Sequence, residues 1–416
     1  MGPSDHLFRH EAGRMVAALT RIFGLHNLEL AEDVVQDAFC RALEVWKQRG
    51  IPENPSAWLM KTAKNRALDV LRRERTARTF APEYGRLLYT EWTLANAVRE
   101  AFDSTDVRED QLRMMFSCCH HQLPETAQVM LVLALVGGFG VREIEAAFVS
   151  SHAAVEKRLT RAKRVLKESG MLFEIADAAD FAQRMPAVQR ALYLIFSEGY
   201  HGASAEAVVR TDLCHEAIRL TRLLAKHELG ATPSTHALLA LMYLNGARLP
   251  SRLDRWGNLT SLFEQDRSRW TRTMIDEGVA WLERAAVGPE VSRYHVEAAI
   301  AAVHARAPSI EATDWSAIVS LYDTLMRISP SPIVALNRAI AVAQRDGAKR
   351  GCDAIDAIAD RDRLEGYPFY HAARGELALR LGNNAAAREH FHVAAALARN
   401  AEERRFYENR LATCFS

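Results

Sequence analysis

The stretch Phe116 to Pro124, FSCCHHQLP, sets two thiols beside two imidazoles, the side chains that hold zinc in structural sites. Such a site needs four ligands converging tetrahedrally, and consecutive helical residues point about 100° apart, so Cys118, Cys119, His120 and His121 cannot all close on one ion. No spaced second pair lies nearby, and the expectation is no metal and no cofactor. The stretch reads instead as a helix end, with Leu112, Met115, Phe116 and Cys119 facing inward before Pro124 opens the next helix. The sequence has no GxxxxGK[ST], HExxH or GxSxG, and its GGFG run follows no strand, so no enzymatic activity is expected.

The chemistry that the spacing does support is that of charge. In LELAEDVVQDAFCRALEVW, Leu30, Val34, Ala38, Ala42 and Val45 form one stripe, and Glu32, Asp33, Gln36, Asp37 and Glu44 fall on the other side. The next segment, from Asn54, has a helix start in Asn54-Pro55 and an inward stripe of Met60, Ala63, Ala67 and Leu71. Lys61, Lys64, Asn65, Asp69, Arg72, Arg73 and Arg75 lie along or beyond its other faces. From Lys61 to Arg78 there are seven basic and two acidic residues, a local excess in a chain whose formal net charge is only +1. Such an excess fits a surface that meets phosphate, although a solvated helix can show the same face.

A second basic cluster follows a short helix, Val141 to Phe148, and the turn Val149-Ser150-Ser151. The helix from about His152, capped by Ser150 or Ser151, turns Val155, Leu159, Ala162 and Leu166 inward. Between His152 and Lys167 there are six basic residues and one acid, the position at which a recognition helix enters the major groove.

These segments need a helical frame. Apolar and small residues recur at three- and four-residue spacing almost throughout and period-two runs are nearly absent, which predicts an all-α protein. At 416 residues two or three domains are expected. No uncharged apolar run reaches about 18 residues, and the N-terminus lacks a signal-peptide core, so a cytoplasmic protein without a membrane partner is expected. Six cysteines without regular spacing suit a reducing compartment.

The run AEDVVQDAF followed by Pro55, Trp58, Leu59, Ala63, Asn65, Asp69 and Arg72 resembles region 2 of the sigma-70 family of bacterial sigma factors. The second basic cluster resembles region 4 of that family, with Gly140 where a Ser or Thr is usual and Glu145 in place of a small residue. The resemblance implies an extracytoplasmic-function type of factor. It would bind the beta-prime clamp of core RNA polymerase through Asp33, Gln36 and Asp37, and read and melt promoter DNA at the −10 element through Lys61, Lys64, Asn65, Asp69, Arg72, Arg73 and Arg75. At the −35 element, Ser151, His152, Glu156, Lys157, Thr160 and Arg161 would sit at or near base edges, and Arg158, Lys163 and Arg164 on phosphates. The implied domains are region 2 at 5–80, a linker at 81–110, region 4 at 111–170 and a helical C-terminal domain at 180–416.

FxCCH and Glu264–Trp270 (EQDRSRW) are similar to the group of such factors that carries a long helical-repeat extension. Gly375, Ala387, Phe391 and Ala394 fit the tetratricopeptide helix-pair pattern, in which small residues let two helices approach and Phe fills the gap; a generic helical bundle is the other reading. The extension is expected to modulate activity through a regulatory protein or effector. The Trp- and Arg-rich LDRWGNLTSLFEQDRSRW has two readings: a groove for an effector, the sigma core or polymerase, or a structural clamp with Trp256 and Trp270 packing and Asp266 pairing with an Arg. A helix-turn-helix regulator with a helical sensor that does not bind polymerase remains the alternative function.

Overall fold

The computed structural model describes residues 3–74, 104–148, 151–170, 173, 178–201 and 209–415. Among them every regular element is helical, apart from an isolated bridge between Leu253 and Leu259. The chain forms two compact units, one of residues 1–146 and 150–195, the other of 147–149 and 196–416.

In the first unit α1 (Pro3–Phe23) is the central element. Met15, Leu19, Ile22 and Phe23 on it are buried, and α2 (Leu28–Arg49), α3 (Pro55–Glu74) and α4 (Ser104–Cys118) pack around it. On α2 the inward stripe is Leu28, Ala31, Val34, Val35, Ala38 and Ala42, so Leu30 and Val45, expected inside, are only half-buried. On α3 Leu59 takes the place expected for Met60, beside Ala63 and Ala67. Asn54 caps α3 by accepting the Ala57 N–H at 3.0 Å, and Pro55 follows at the first helical position, where no N–H is needed. Trp46 stacks on Phe8 and meets Trp58 edge-on at 5.5 Å, an aromatic joint for the first three helices.

Beyond α4 come α5 (Glu125–Leu131), a wider turn over Val132–Val136, α6 (Val141–Phe148) and α7 (His152–Ser169). Gly13 of α1 lies against the Val136 backbone, where a Cβ would overlap the carbonyl oxygen. Leu112, Met115, Phe116 and Cys119 are buried, and Phe116 stacks on Phe173 at 5.1 Å and on Phe181 at 4.1 Å. The cysteine-histidine stretch is thus a seat for the chain leaving α7. Burial pushes the Cys119 thiol up to about 12 and raises Cys118 as well, the opposite of a poised thiolate.

Phe181 belongs to α8 (Ala178–His201), and the division between the units falls within this helix, after Ile195. In the second unit α9 (Thr211–Ala225), α11 (Arg272–Ala285) and α12 (Arg293–Arg306) surround α10 (Pro233–Gly246), which is buried on nearly all sides. Then α13 (Trp315–Ile328), α14 (Pro332–Asp346), α15 (Ala348–Asp356), α16 (Pro368–Arg380), α17 (Asn384–Ala396) and α18 (Ala401–Ala412) pack mainly on their sequence neighbours. Gly375 of α16 faces the Phe391 ring of α17, with a Cβ there only 2.9 Å from it.

The clamp expected between α10 and α11 is differently built. Trp270 is buried, but Trp256 is 69% exposed, with Arg255 stacked on its ring. Asp266 makes no ion pair; its carboxylate accepts the Ser268 N–H at 2.9 Å and caps the turn Arg267–Arg269. Arg267 is the clamp, donating to the carbonyls of His304 and Ala307 at the C-terminus of α12, where a cation is favoured.

Candidate nucleic-acid interface

Asp33, Gln36, Asp37 and Glu44 are exposed on α2, because the small apolar residues between them turn toward α1 and α3. Asp37 is not isolated: Arg66 of α3 donates to it at 2.7 Å, tying the acidic face to the next helix. Lys61, Asn65 and Asp69 are exposed on α3 and Lys64 is half-buried. Arg72 and Arg73 fall on its last turn, and Arg75 lies outside the described residues.

Ser151 caps α7 by accepting the Ala154 N–H, and Gly170 ends the helix at φ +80°. Val155, Leu159, Ala162 and Leu166 are buried, which leaves Glu156, Lys157, Arg158, Thr160, Arg161 and Arg164 exposed along the helix. His152 is held between Glu145 at 3.1 Å and Glu156 at 3.3 Å, so two of the polar groups at the head of α7 already have partners within the protein.

The remaining lysines of α7 turn toward α2. Lys163 reaches both carboxylate oxygens of Glu32, at 2.6 and 2.7 Å, and Lys167 meets Glu29 at 2.7 Å. The Lys167 ammonium, with Lys163 behind it, holds the Glu29 carboxyl below the usual carboxylate range. Arg9 of α1 pairs with Glu143 of α6 and lies over the Phe139 ring at 4.3 Å. Three ion pairs and the Gly13–Val136 approach therefore fasten α6, α7 and the Val132–Val136 turn to α1 and α2. Glu29 and Arg66 were not among the residues singled out from sequence, and Lys167 was placed only beside the basic face of α7. Their charges were visible, at i,i+3 on α2 and i,i+4 on α7, but nothing in a single sequence matches elements some 130 positions apart.

Among known proteins, residues 7–77 match sigma-70 region 2, and residues 184–286 match a family of unknown function, DUF6596. An uncharacterized protein of Rhizobium meliloti (strain 1021) is 41% identical over 388 residues, spanning 93% of this chain and 90% of the relative. No solved structure matches. The chain carries a sigma-70 region 2, on α1 to α3. It belongs to the family of the rhizobial relative, a likeness that runs through both units. No helix of the described residues is long and apolar enough to cross a membrane.

Proposed function

We propose that the protein is a sigma factor of the extracytoplasmic-function type that binds core RNA polymerase and directs initiation at promoters with −10 and −35 elements. The reading is carried by the region 2 match together with the exposed acidic face of α2 beside the exposed polar face of α3. Asp33, Gln36 and Asp37 would meet the polymerase clamp. Lys61, Lys64, Asn65, Asp69, Arg72, Arg73 and Arg75 would serve the −10 strand, which favours open DNA by binding extruded bases and single-strand phosphates. In α7, a recognition helix of a helix-turn-helix, Ser151, His152, Glu156, Lys157, Thr160 and Arg161 would read the −35 element, while Arg158, Lys163 and Arg164 would hold phosphates. The C-terminal unit, a tetratricopeptide-like array on the support of Gly375 and Phe391, would modulate this activity.

The first unit as folded is a closed form in this reading. The two promoter elements lie about 25 base pairs apart, roughly 85 Å at about 3.4 Å per pair. Yet α7 is joined to α2 by ion pairs of 2.6 and 2.7 Å. Both elements cannot be engaged together until α7 leaves α2, and Lys163 cannot serve a phosphate while Glu32 holds it. Polymerase binding would supply the cost of opening.

Run-off transcription with core polymerase tests the reading. Initiation at a defined start on a genomic fragment library supports it; failure to bind core, with duplex DNA binding intact, would instead make the protein a helix-turn-helix regulator.

A further inference from the structure

The second unit contains cations that its own acids do not neutralise. Arg252 is 8% exposed, and its hydrogen bond is to a neutral group, the Tyr200 carbonyl at 3.2 Å; its Nε–H has no partner. Arg248, half-buried beside it, donates to the Gln265 side-chain oxygen at 3.2 Å. The two guanidinium groups lie 4.8 and 5.8 Å from the centre of the Tyr200 ring, and Arg248 is also 5.5 Å from the Trp270 ring. Among the described residues no carboxylate lies within ion-pair distance of either. Glu403, whose field reaches Arg252, is taken by Arg399.

A buried charge without a partner is costly, and a lysine or histidine could escape by losing its proton. Arginine cannot, because it stays protonated throughout the working pH range. Burial and the neighbouring Arg248 pull Arg252 down from its ordinary value, yet leave it a cation. The same neighbourhood holds further buried polar atoms with no partner: the Tyr200 hydroxyl, the Trp270 indole N–H and His304 Nδ1. Two forked cations that meet only neutral acceptors, beside two neutral donors that have none, are the complement of an oxyanion.

We propose that Arg248 and Arg252, with the Tyr200 hydroxyl and the Trp270 indole N–H, bind a small oxyanion, a carboxylate or a phosphate. Arg248 stands at the accessible side and Arg252 at the buried end. Arg267 is not a ligand, since its charge is spent on the α12 carbonyls. The site lies in the segment matching DUF6596, and it gives the expected effector a chemical class.

The test is calorimetric titration of the full chain with inorganic phosphate and, separately, with succinate, against sodium chloride at equal ionic strength. It uses neither polymerase nor promoter, so it stands or falls apart from the sigma reading. Saturable binding of one anion supports the site, and which one binds assigns the class. Arg252→Met should weaken that binding at least about tenfold and, in anion-free buffer, unfold no earlier than the native chain, because it removes an uncompensated charge. Should that variant not fold, Arg248→Gln provides the same readout from the rim. Binding no stronger than chloride, or undiminished in the folded variants, overturns the proposal.

Discussion

His304 is 7% exposed on α12, packed edge-on against Trp315 and facing Arg248 and Arg267. Burial and those two cations push its pKa down from 6.5 to about 3, so the folded chain refuses a proton that the unfolded chain accepts. Folded stability from this group is therefore whole above pH 6.5 and drains away as pH falls toward 3. Between pH 7.5 and 5.5 the loss should be about 1 kcal/mol in urea unfolding, and His304→Gln should remove that part of the slope. An unchanged slope in the variant would mean that the imidazole is protonated in the fold. A second residue-scale prediction concerns Phe391, which is fully buried against Gly375. Phe391→Ala should cost about 3–5 kcal/mol in the same assay, because the glycine opposite has no side chain to collapse into the cavity.

At the scale of elements the question is what holds α7 on α2. Lys163 and Glu32 are 22% and 28% exposed and Lys167 and Glu29 are 28% and 70% exposed, so each pair contributes at most about 1 kcal/mol. Reversing Glu29 and Glu32 to Lys replaces attraction by repulsion, and should shift the closed-to-open ratio by about tenfold or more. Cys40 is exposed on α2, and Thr160→Cys would give a second label on α7. Energy transfer between them should fall in Glu29→Lys/Glu32→Lys and return when Lys163 and Lys167 are reversed to Glu; equal transfer in all three would show that the ion pairs do not set the closed form. The elements themselves were legible. Asn54-Pro55 marked the start of α3, the pair Ser150-Ser151 the cap of α7, which Ser151 provides, and the bounds of α6 were readable, because caps and apolar periodicity are local signals. The clasp was not, since its partners are joined by the fold alone. Asp266 was misjudged for a related reason: a carboxylate beside arginines in sequence found a nearer partner in the Ser268 N–H, a turn bond that charge counting overlooks.

For the whole molecule, the decisive experiment is removal of the C-terminal unit, and where the chain is cut decides what the result means. A cut at residue 180, where sequence places the start of the extension, would strip Phe181, Met185, Val188, Leu192 and Ile195 from the first unit. These side chains are 0–6% exposed, and Phe181 stacks on Phe116. At about 1.5–3 kcal/mol for each buried apolar side chain, their loss is comparable to the total stability of a domain, roughly 5–15 kcal/mol. A chain ending at residue 180 should therefore lose cooperative unfolding, and its failure in transcription would report a broken core. A chain ending at His201 keeps α8 entire. It should melt cooperatively near the midpoint of the first transition of the full chain, by circular dichroism at matched concentrations. Only in that version does promoter-dependent transcription report on regulation: loss of activity makes the second unit a required part, and a gain makes it an inhibitor. If the two truncations melt alike, α8 is not the shared element that the division at Ile195 describes.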